Sequence, residues 1–310
     1  MLRAIGNMYA QLDLGEIYVP LKGLKYRFNF GPDFRYYRNG TFRNEESISS
    51  EGKNRTSLSN QSDFSWTLDN LIFYNKEFGK HSVGVTLLQS ATGYHYEKSS
   101  MAAEGIPLES AKWNALSKEN VPLLDDWNSG LIEKQLLSYM FRVNYDYNNK
   151  YLLTVSGRWD GASQLAEGNK WAFFPSAALG WRLDQEEFLK DVSWLNQLKF
   201  RLGVGVTGNS AIDPYQTKGA IVSLYYPFGS ALAPGYAASE PLIKDGAVAM
   251  ANKNLSWEKT MQYNIGLDYS ILNGRISGVL DFYTSRTTDL LMAMTTVSYT
   301  HLTLPTILLV

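Results

Sequence analysis

The feature that most constrains this chain is an alternation of apolar and polar residues at period two, sustained over segments of unusual length. In 137–147, Leu137, Tyr139, Phe141, Val143, Tyr145 and Tyr147 fall on one face, and Ser138, Met140, Arg142, Asn144 and Asp146 on the other. Successive strand side chains point to opposite faces, so such a segment is a β-strand with one apolar and one polar side. The pattern recurs in 151–160, 263–270, 24–30 and 275–282. All of these runs exceed the roughly 5–6 residues of an ordinary soluble strand, and 137–147 and 151–160 reach the roughly 9–11 that a tilted strand needs to cross a bilayer.

Ten strands are expected: 3–18, 24–37, 62–76, 80–97, 132–147, 151–164, 170–183, 197–209, 254–270 and 275–287. The connections alternate between short turns (20–23, 77–80, 148–150, 272–274, with a longer 184–196) and long polar loops (39–61, 99–130, 210–252, with a shorter 161–170). Short turns at one end and long loops at the other are the habit of outer-membrane barrels. Aromatic residues cluster near the expected strand ends: Tyr36, Tyr37, Trp66, Tyr74, Tyr94, Tyr145, Tyr147, Tyr151, Trp171, Trp181 and Trp257. They read as a membrane-interface girdle, where an amphipathic ring is at home, with cross-strand packing as the alternative.

Composition narrows the function. The net charge of −1 lacks the basic face that nucleic-acid binding needs. With no Cys and three His, thiolate chemistry is excluded and a His-rich metal site is disfavoured. No apolar stretch suits a membrane helix, because 219–239 is broken by Gly and Pro and 290–310 by Thr and Pro305. Mean hydropathy of −0.24 suits a soluble protein and a barrel equally, since alternation cancels in any hydropathy window.

A series of short motifs follows in order: Arg142-Val-Asn-Tyr-Asp-Tyr147, Lys150-Tyr-Leu-Leu-Thr-Val-Ser156, Arg158-Trp-Asp-Gly-Ala-Ser163, Phe174-Pro-Ser176, Leu179-Gly-Trp181, Glu187-Phe188, Leu198-Lys-Phe-Arg-Leu-Gly203, Val206-Thr-Gly-Asn209, Asn254-Leu-Ser-Trp-Glu258, Asn264-Ile-Gly-Leu-Asp268, Asp281-Phe-Tyr283 and Thr288-Asp-Leu-Leu291. Over about residues 20–292 the series resembles the C-terminal barrel half of SusC/RagA-type TonB-linked outer-membrane proteins (TonB-dependent receptors) of Bacteroidota. The resemblance implies an all-β fold, a transmembrane antiparallel barrel of which this chain holds about ten of 22 strands. The signal sequence, TonB box and plug domain would precede the chain. It also implies location in the cell outer membrane of a Gram-negative, Bacteroidota-like host, amid outer-membrane lipid. The implied role is import of an oligosaccharide (glycan) or peptide, driven by the TonB complex and lidded by a SusD-like lipoprotein. No enzyme activity, cofactor, metal or nucleic acid enters. Residues 1–296 are expected to be barrel. Residues 297–310 depart from the family, resemble translated adapter sequence and are expected to be a non-native tail.

The loop aromatics Trp113, Trp127, Tyr225, Tyr226, Phe228 and Tyr236 are candidate contacts to substrate or lid, with loop packing as the alternative. The polar stripe of Arg142, Asn144, Asp146, Arg158, Asp160, Gln262, Asn264 and Asp268 is the candidate lumen lining. Three other readings stay open: a siderophore-type TonB-dependent receptor, a soluble carbohydrate-binding β-protein, and a barrel enzyme using His95 with Asp125 and Asp126.

Three further motifs point to chemistry or to local structure. Gly203-Val-Gly-Val-Thr-Gly208 fits a dinucleotide-binding loop, but neither a following helix nor an acidic residue about 20 positions on is present. Asp184-Gln-Glu-Glu187 reads as a helix N-cap with its capping-box acid. Asn39 and Asn54 head Asn-x-Thr triplets and read as polar loop residues.

Overall fold

The computed structural model describes residues 1–48, 52–106, 109–114, 116, 126–189, 192–217 and 252–292, together with the backbone of 220–228, 231–240, 242–244 and 247–249. It is a continuous antiparallel sheet of 11 strands. In chain order these are β1 (Leu2–Ile5), β2 (Met8–Asp13), β3 (Leu24–Arg43), β4 (Arg55–Phe78), β5 (His81–Glu104), β6 (Asp126–Tyr147), β7 (Tyr151–Ala162), β8 (Trp171–Arg182) and β9 (Leu195–Asn209). Two two-stranded pairs follow, β10 (Ala220–Phe228) with β11 (Ala231–Glu240), and β12 (Leu242–Lys244) with β13 (Ala247–Ala249). The main sheet then closes with β14 (Glu258–Ile271) and β15 (Ile276–Thr288). Each strand from β3 pairs with its sequence neighbour, except that β14 joins β9 across the 210–257 insertion. The tail 297–310 lies outside the described residues.

Register carries the alternation across the whole sheet. Val143 stands opposite Val85 and Val155, which stands opposite Ala177, then Val204 and Tyr263. All the apolar stripes therefore merge into one face and all the polar stripes into the other. Exposure follows the reverse of the soluble rule. In β8 the apolar-face residues Trp171, Phe173 and Leu179 are about half exposed, while Ala172 and Phe174 on the other face are 8% and 7% exposed. An exposed, continuous apolar sheet face needs a non-aqueous neighbour, and a bilayer is the one that fits a strand pattern of this length.

Two aromatic rows bound that face. Phe78, His81, Tyr147, Tyr151 and Trp181 follow one another at the short-turn end, with centroid spacings of 4.9–6.5 Å, all stacked but for the tilted His81–Tyr147 pair. Tyr139, Trp159, Trp171 and Phe173 form the other row. Tyr151 and Trp159 are eight residues apart on β7. That is about 26 Å along the strand, or about 20 Å after a tilt of roughly 35–45°, which fits between the girdles of a band about 25 Å tall.

Tight turns hold the short end. Phe78 pairs with His81 around Gly79, which sits at φ +62, a left-handed conformation that glycine enters at little cost. Asn148 and Asn149 both lie at φ +54 between the paired Tyr147 and Tyr151, and Asn tolerates this region better than most residues.

The sheet corrects several boundaries. The expected strand 3–18 is broken and shorter. β1 and β2 are separated at Gly6 and Asn7, opposite Pro32, whose missing N–H interrupts the ladder. Past Asp13, whose carboxylate accepts from the Gly15 N–H, the chain makes the one-turn helix α1 (Leu14–Ile17) and a 3-10 turn (Val19–Leu21). The loops expected over 39–61 and 99–130 give up both their ends to strand, at 39–43, 55–61, 99–104 and 126–130, because β3, β4, β5 and β6 run to 20, 24, 24 and 22 residues. Their turns at the short end are tight, so the excess projects as a turret at the long-loop end.

Candidate functional site: the polar face and its loop cap

All eight residues of the polar stripe fall on the polar face. Those on β6 stand opposite polar-face partners: Arg142 faces Thr86 and Ser156, and Asn144 faces Thr154. Several charges there are paired locally. Arg158 Nε lies 2.7 and 2.9 Å from the two Asp160 oxygens, and its Nη2 donates to Ser138 Oγ at 3.0 Å. Arg201 bridges Asp268 at 2.8 Å and Asp281 at 3.1 Å. Asp33 takes Arg3 at 2.8 Å and Arg35 at 3.1 Å. Asp69 accepts from Ser90 Oγ at 2.6 Å, and Asp63 from Tyr94 at 3.1 Å. Asp146 instead caps its own turn, accepting from the Asn149 N–H. The side chains of Arg142, Gln262 and Asn264 make no hydrogen bond or ion pair among the described residues. Asp281 falls on the polar side of the 275–282 alternation but lies outside the candidate lumen set; alternation did not single out Arg201, Asp63 or Asp69, although each has the parity of its strand's polar face.

Three of the girdle residues are not on the apolar face. Tyr94 and Tyr37 have polar-face parity, Tyr94 hydrogen-bonding Asp63 and Tyr37 standing opposite Gln61. Trp257 is 5% exposed, packs edge-on against Phe174 at 5.2 Å and donates Nε1–H to the Lys170 carbonyl at 2.8 Å. Around it Ala162, Leu165 and Ala172 form a small apolar core with Leu136, Val206, Ile212 and Leu255. The connections 163–170, 210–217 and 252–257 are tied together there. The Ala166 N–H donates to the Leu255 carbonyl, and Gln164 donates to the Ser210 carbonyl. Truncating Trp257 to Ala should cost about 3–5 kcal/mol at this buried site and open Lys170 to trypsin, while Trp171→Ala on the lipid-type face leaves that cleavage slow. Limited proteolysis of the full-length protein in detergent reads both.

At the turret a second cap forms. Asn54 is buried, with Oδ1 accepting from the Glu45 N–H and Nδ2 donating to the Ile106 carbonyl, so it clamps two connections together rather than serving as a plain polar loop residue. Asn39, the head of the other triplet, is a β3 strand residue paired with Ser59 rather than a loop residue. Ala103 and Ile106 pack with Ala111 and Leu116. Trp113 covers the face of Gly40, so it packs on the turret wall, whereas Trp127 is 80% exposed. Tyr225, Tyr226, Phe228 and Tyr236 lie on the β10–β11 pair, Tyr236 opposite Ser223; their side chains are outside the described residues.

Asp184 does not cap a helix. The segment makes a single 3-10 turn, Leu183–Gln185, too short to need an acidic N-cap. The Asp184 carboxylate instead joins that turn to β9, accepting from the Leu198 N–H, Arg182 and Gln185. Burial pushes its pKa up, but these three donors together hold it below the ordinary carboxylate value. Glu186 next to it accepts from Tyr151 Oη at 2.7 Å, Trp181 Nε1 at 3.1 Å and Lys150 Nζ at 3.4 Å, and these donors, Tyr151 first, lower its pKa. It thereby fixes two girdle rings by their polar tips. The glycine-rich 203–208 lies wholly inside β9, with no helix after it among the described residues. His95 has both ring nitrogens engaged, at 3.1 Å from Glu133 and 3.1 Å from Glu97. Asp125 and the Asp126 side chain lie outside the described residues.

Between the free end of β6 and the connections 163–167 and 214–217 lies a cavity of about 770 Å³ carrying Glu167, Lys170 and Lys253. Among the described residues no group of His, Asp and Glu is arranged to hold a metal ion.

Comparison with known proteins agrees with this architecture. The TonB-dependent receptor P3 of Formosa agariphila is 31% identical over 289 residues, covering 92% of this chain and 27% of that protein. The TonB-dependent receptor SusC of Bacteroides thetaiotaomicron is 45% identical over 165 residues, covering 50% of this chain and 15% of that protein. Among solved structures, the RagAB peptide importer in its open-open state superposes with a TM-score of 0.80 at 24% identity, over 94% of this chain and 30% of that one. The chain thus spans less than a third of the length of these relatives. The family described as TonB dependent receptor-like, beta-barrel matches residues 10–303, and a match over nearly the whole chain, on a sheet with one lipid-type face and one polar face, places this chain in that family.

Proposed function

We propose that this chain is a wall segment of an outer-membrane importer that takes up an oligosaccharide or peptide with energy from TonB, lidded by a SusD-like lipoprotein. The observation that carries the reading is the division of one continuous sheet into an exposed apolar face and a polar face of paired charges. A bilayer accepts the first, and a water-filled or plugged lumen accepts the second. On this reading Arg142, Asn144, Asp146, Arg158, Asp160, Gln262, Asn264 and Asp268 line the lumen. Trp127 and the aromatics of β10 and β11 stand at the mouth, where substrate or lid would meet them. The chain does no covalent chemistry. Its work is to hold a hydrophilic passage in which Arg158, Asp160 and Asp268 are already paired, leaving Arg142 and Asp146 as the lining charges without an ion-pair partner among the described residues.

Disrupting the full-length gene in its host should abolish growth on the imported nutrient, and disrupting TonB should have the same effect. Growth unchanged by both lesions on every glycan and peptide source tested would overturn the import reading.

A further inference from the structure

β5 and β6 pair only as far as Ala102 opposite Asp126, and β7 pairs with β6 only from Leu136. The stretch of β6 from Asp126 to Gln135 therefore has a strand on one side alone among the described residues. The free side has begun to take other partners. The Gln135 N–H donates to Ser163 Oγ at 2.9 Å, the Gln135 carbonyl accepts from the Ser163 N–H at 2.9 Å, and the Glu133 N–H donates to Tyr215 Oη at 3.2 Å. Since alternate residues of a strand present N–H and C=O to the same edge, Leu131, Ser129 and Trp127 point theirs the same way. Neither proline nor a bulge interrupts this edge, and its only charges near the foot are Glu133 and Lys134, leaving 127–132 without one. At its foot opens the cavity of about 770 Å³, with Glu133 and Glu167 of one sign and Lys170 and Lys253 of the other.

We propose that the free edge of β6 from Trp127 to Glu133, with the cavity at its foot, binds an extended peptide by strand addition. A peptide main chain supplies the alternating donors and acceptors that the edge lacks. Its charged termini or side chains match a cavity holding both signs. A neutral glycan offers neither the repeat nor the charge. Leu131 directs its side chain to the apolar face of the sheet, so its backbone serves the edge and its side chain does not. The proposal rests on the import reading and selects peptide within it.

The test uses the full-length receptor in detergent, offered a tryptic digest of casein and, separately, maltoheptaose. Wild type and Leu131→Ala should retain casein peptides, identified by mass spectrometry. Leu131→Pro, which removes one edge donor and blocks the approach of a strand, should retain about tenfold less or lower still. Heat-modifiable migration of Leu131→Pro shows that its barrel is intact. Where that variant fails to fold, the probe decides alone: a recovered peptide N-methylated at alternate residues should compete at least about tenfold more weakly than its parent. Equal competition by the two peptides overturns the proposal, as does full peptide retention by folded Leu131→Pro. Retention of maltoheptaose without any peptide also overturns it while leaving import standing, because import is judged separately by the TonB dependence of growth.

Discussion

Residues 1–296 expressed alone and transferred from denaturant into detergent micelles should give no heat-modifiable band on a gel, and in buffer they should aggregate. Among the described residues the sheet has open edges at β1–β2 and at β15, where β15 pairs on one side only. In hydrocarbon every unpaired N–H and C=O along such an edge costs several kcal/mol, and closure is what relieves a barrel of that cost. In water the same edges are templates for other chains, and the apolar face adds side chains such as Trp159 at 55% and Leu179 at 54% exposure. A stable, monomeric, heat-modifiable species would show that the described strands close on themselves or that the exposed face is tolerated by water. The whole reading of the sheet as part of a larger wall would then fail.

The second large effect separates the two faces within one strand. Val155 and Thr154 are neighbours on β7, Val155 opposite Val143 and Ala177 on the apolar face, Thr154 opposite Asn144 on the polar face and donating to its Oδ1 at 3.0 Å. In the full-length protein folded into lipid vesicles, Val155→Arg should lose about 2–4 kcal/mol, the cost of a cation near the bilayer midplane. Thr154→Arg should lose about 1 kcal/mol, since it gives up one hydrogen bond and places its charge among polar groups. Urea titrations followed by tryptophan fluorescence measure both. Equal losses would mean that the two faces do not see different solvents, and the assignment of lipid to one and lumen to the other would be wrong.

How much of this was legible in the sequence depended on whether a segment sees two different environments. Between about 137 and 160 each strand has hydrocarbon on one side and polar surroundings on the other, so its residues alternate and the strands could be read one by one. The turret strands have polar surroundings on both sides, and 55–61, Arg-Thr-Ser-Leu-Ser-Asn-Gln, shows no apolar stripe. That stretch reads as loop although it is continuous β4, because period two records asymmetry of environment rather than strand geometry itself. The pause at Gly6 and Asn7 is hidden in the sequence for another reason: the break is dictated by Pro32 on the neighbouring strand.

The aromatic residues draw the line most clearly. Trp171 and Trp257 looked alike in sequence, each close to the end of an alternating run. Trp171 keeps its place on the apolar face beside Trp159 and Tyr139. Trp257 turns into a core built from three separate connections, because Phe174 and the Lys170 carbonyl wait there to receive its ring and its N–H. The sequence by itself determined the fold class, the parity of the strands between the girdles and the family resemblance, since these follow from a local repeat and from short runs of neighbouring residues. Only the tertiary structure decided where the strands end, which ions pair, why Asn54 is buried and that β6 outruns β7 to leave an open edge. Each of those depends on a partner brought from elsewhere in the chain, and a local periodicity carries no record of who that partner is.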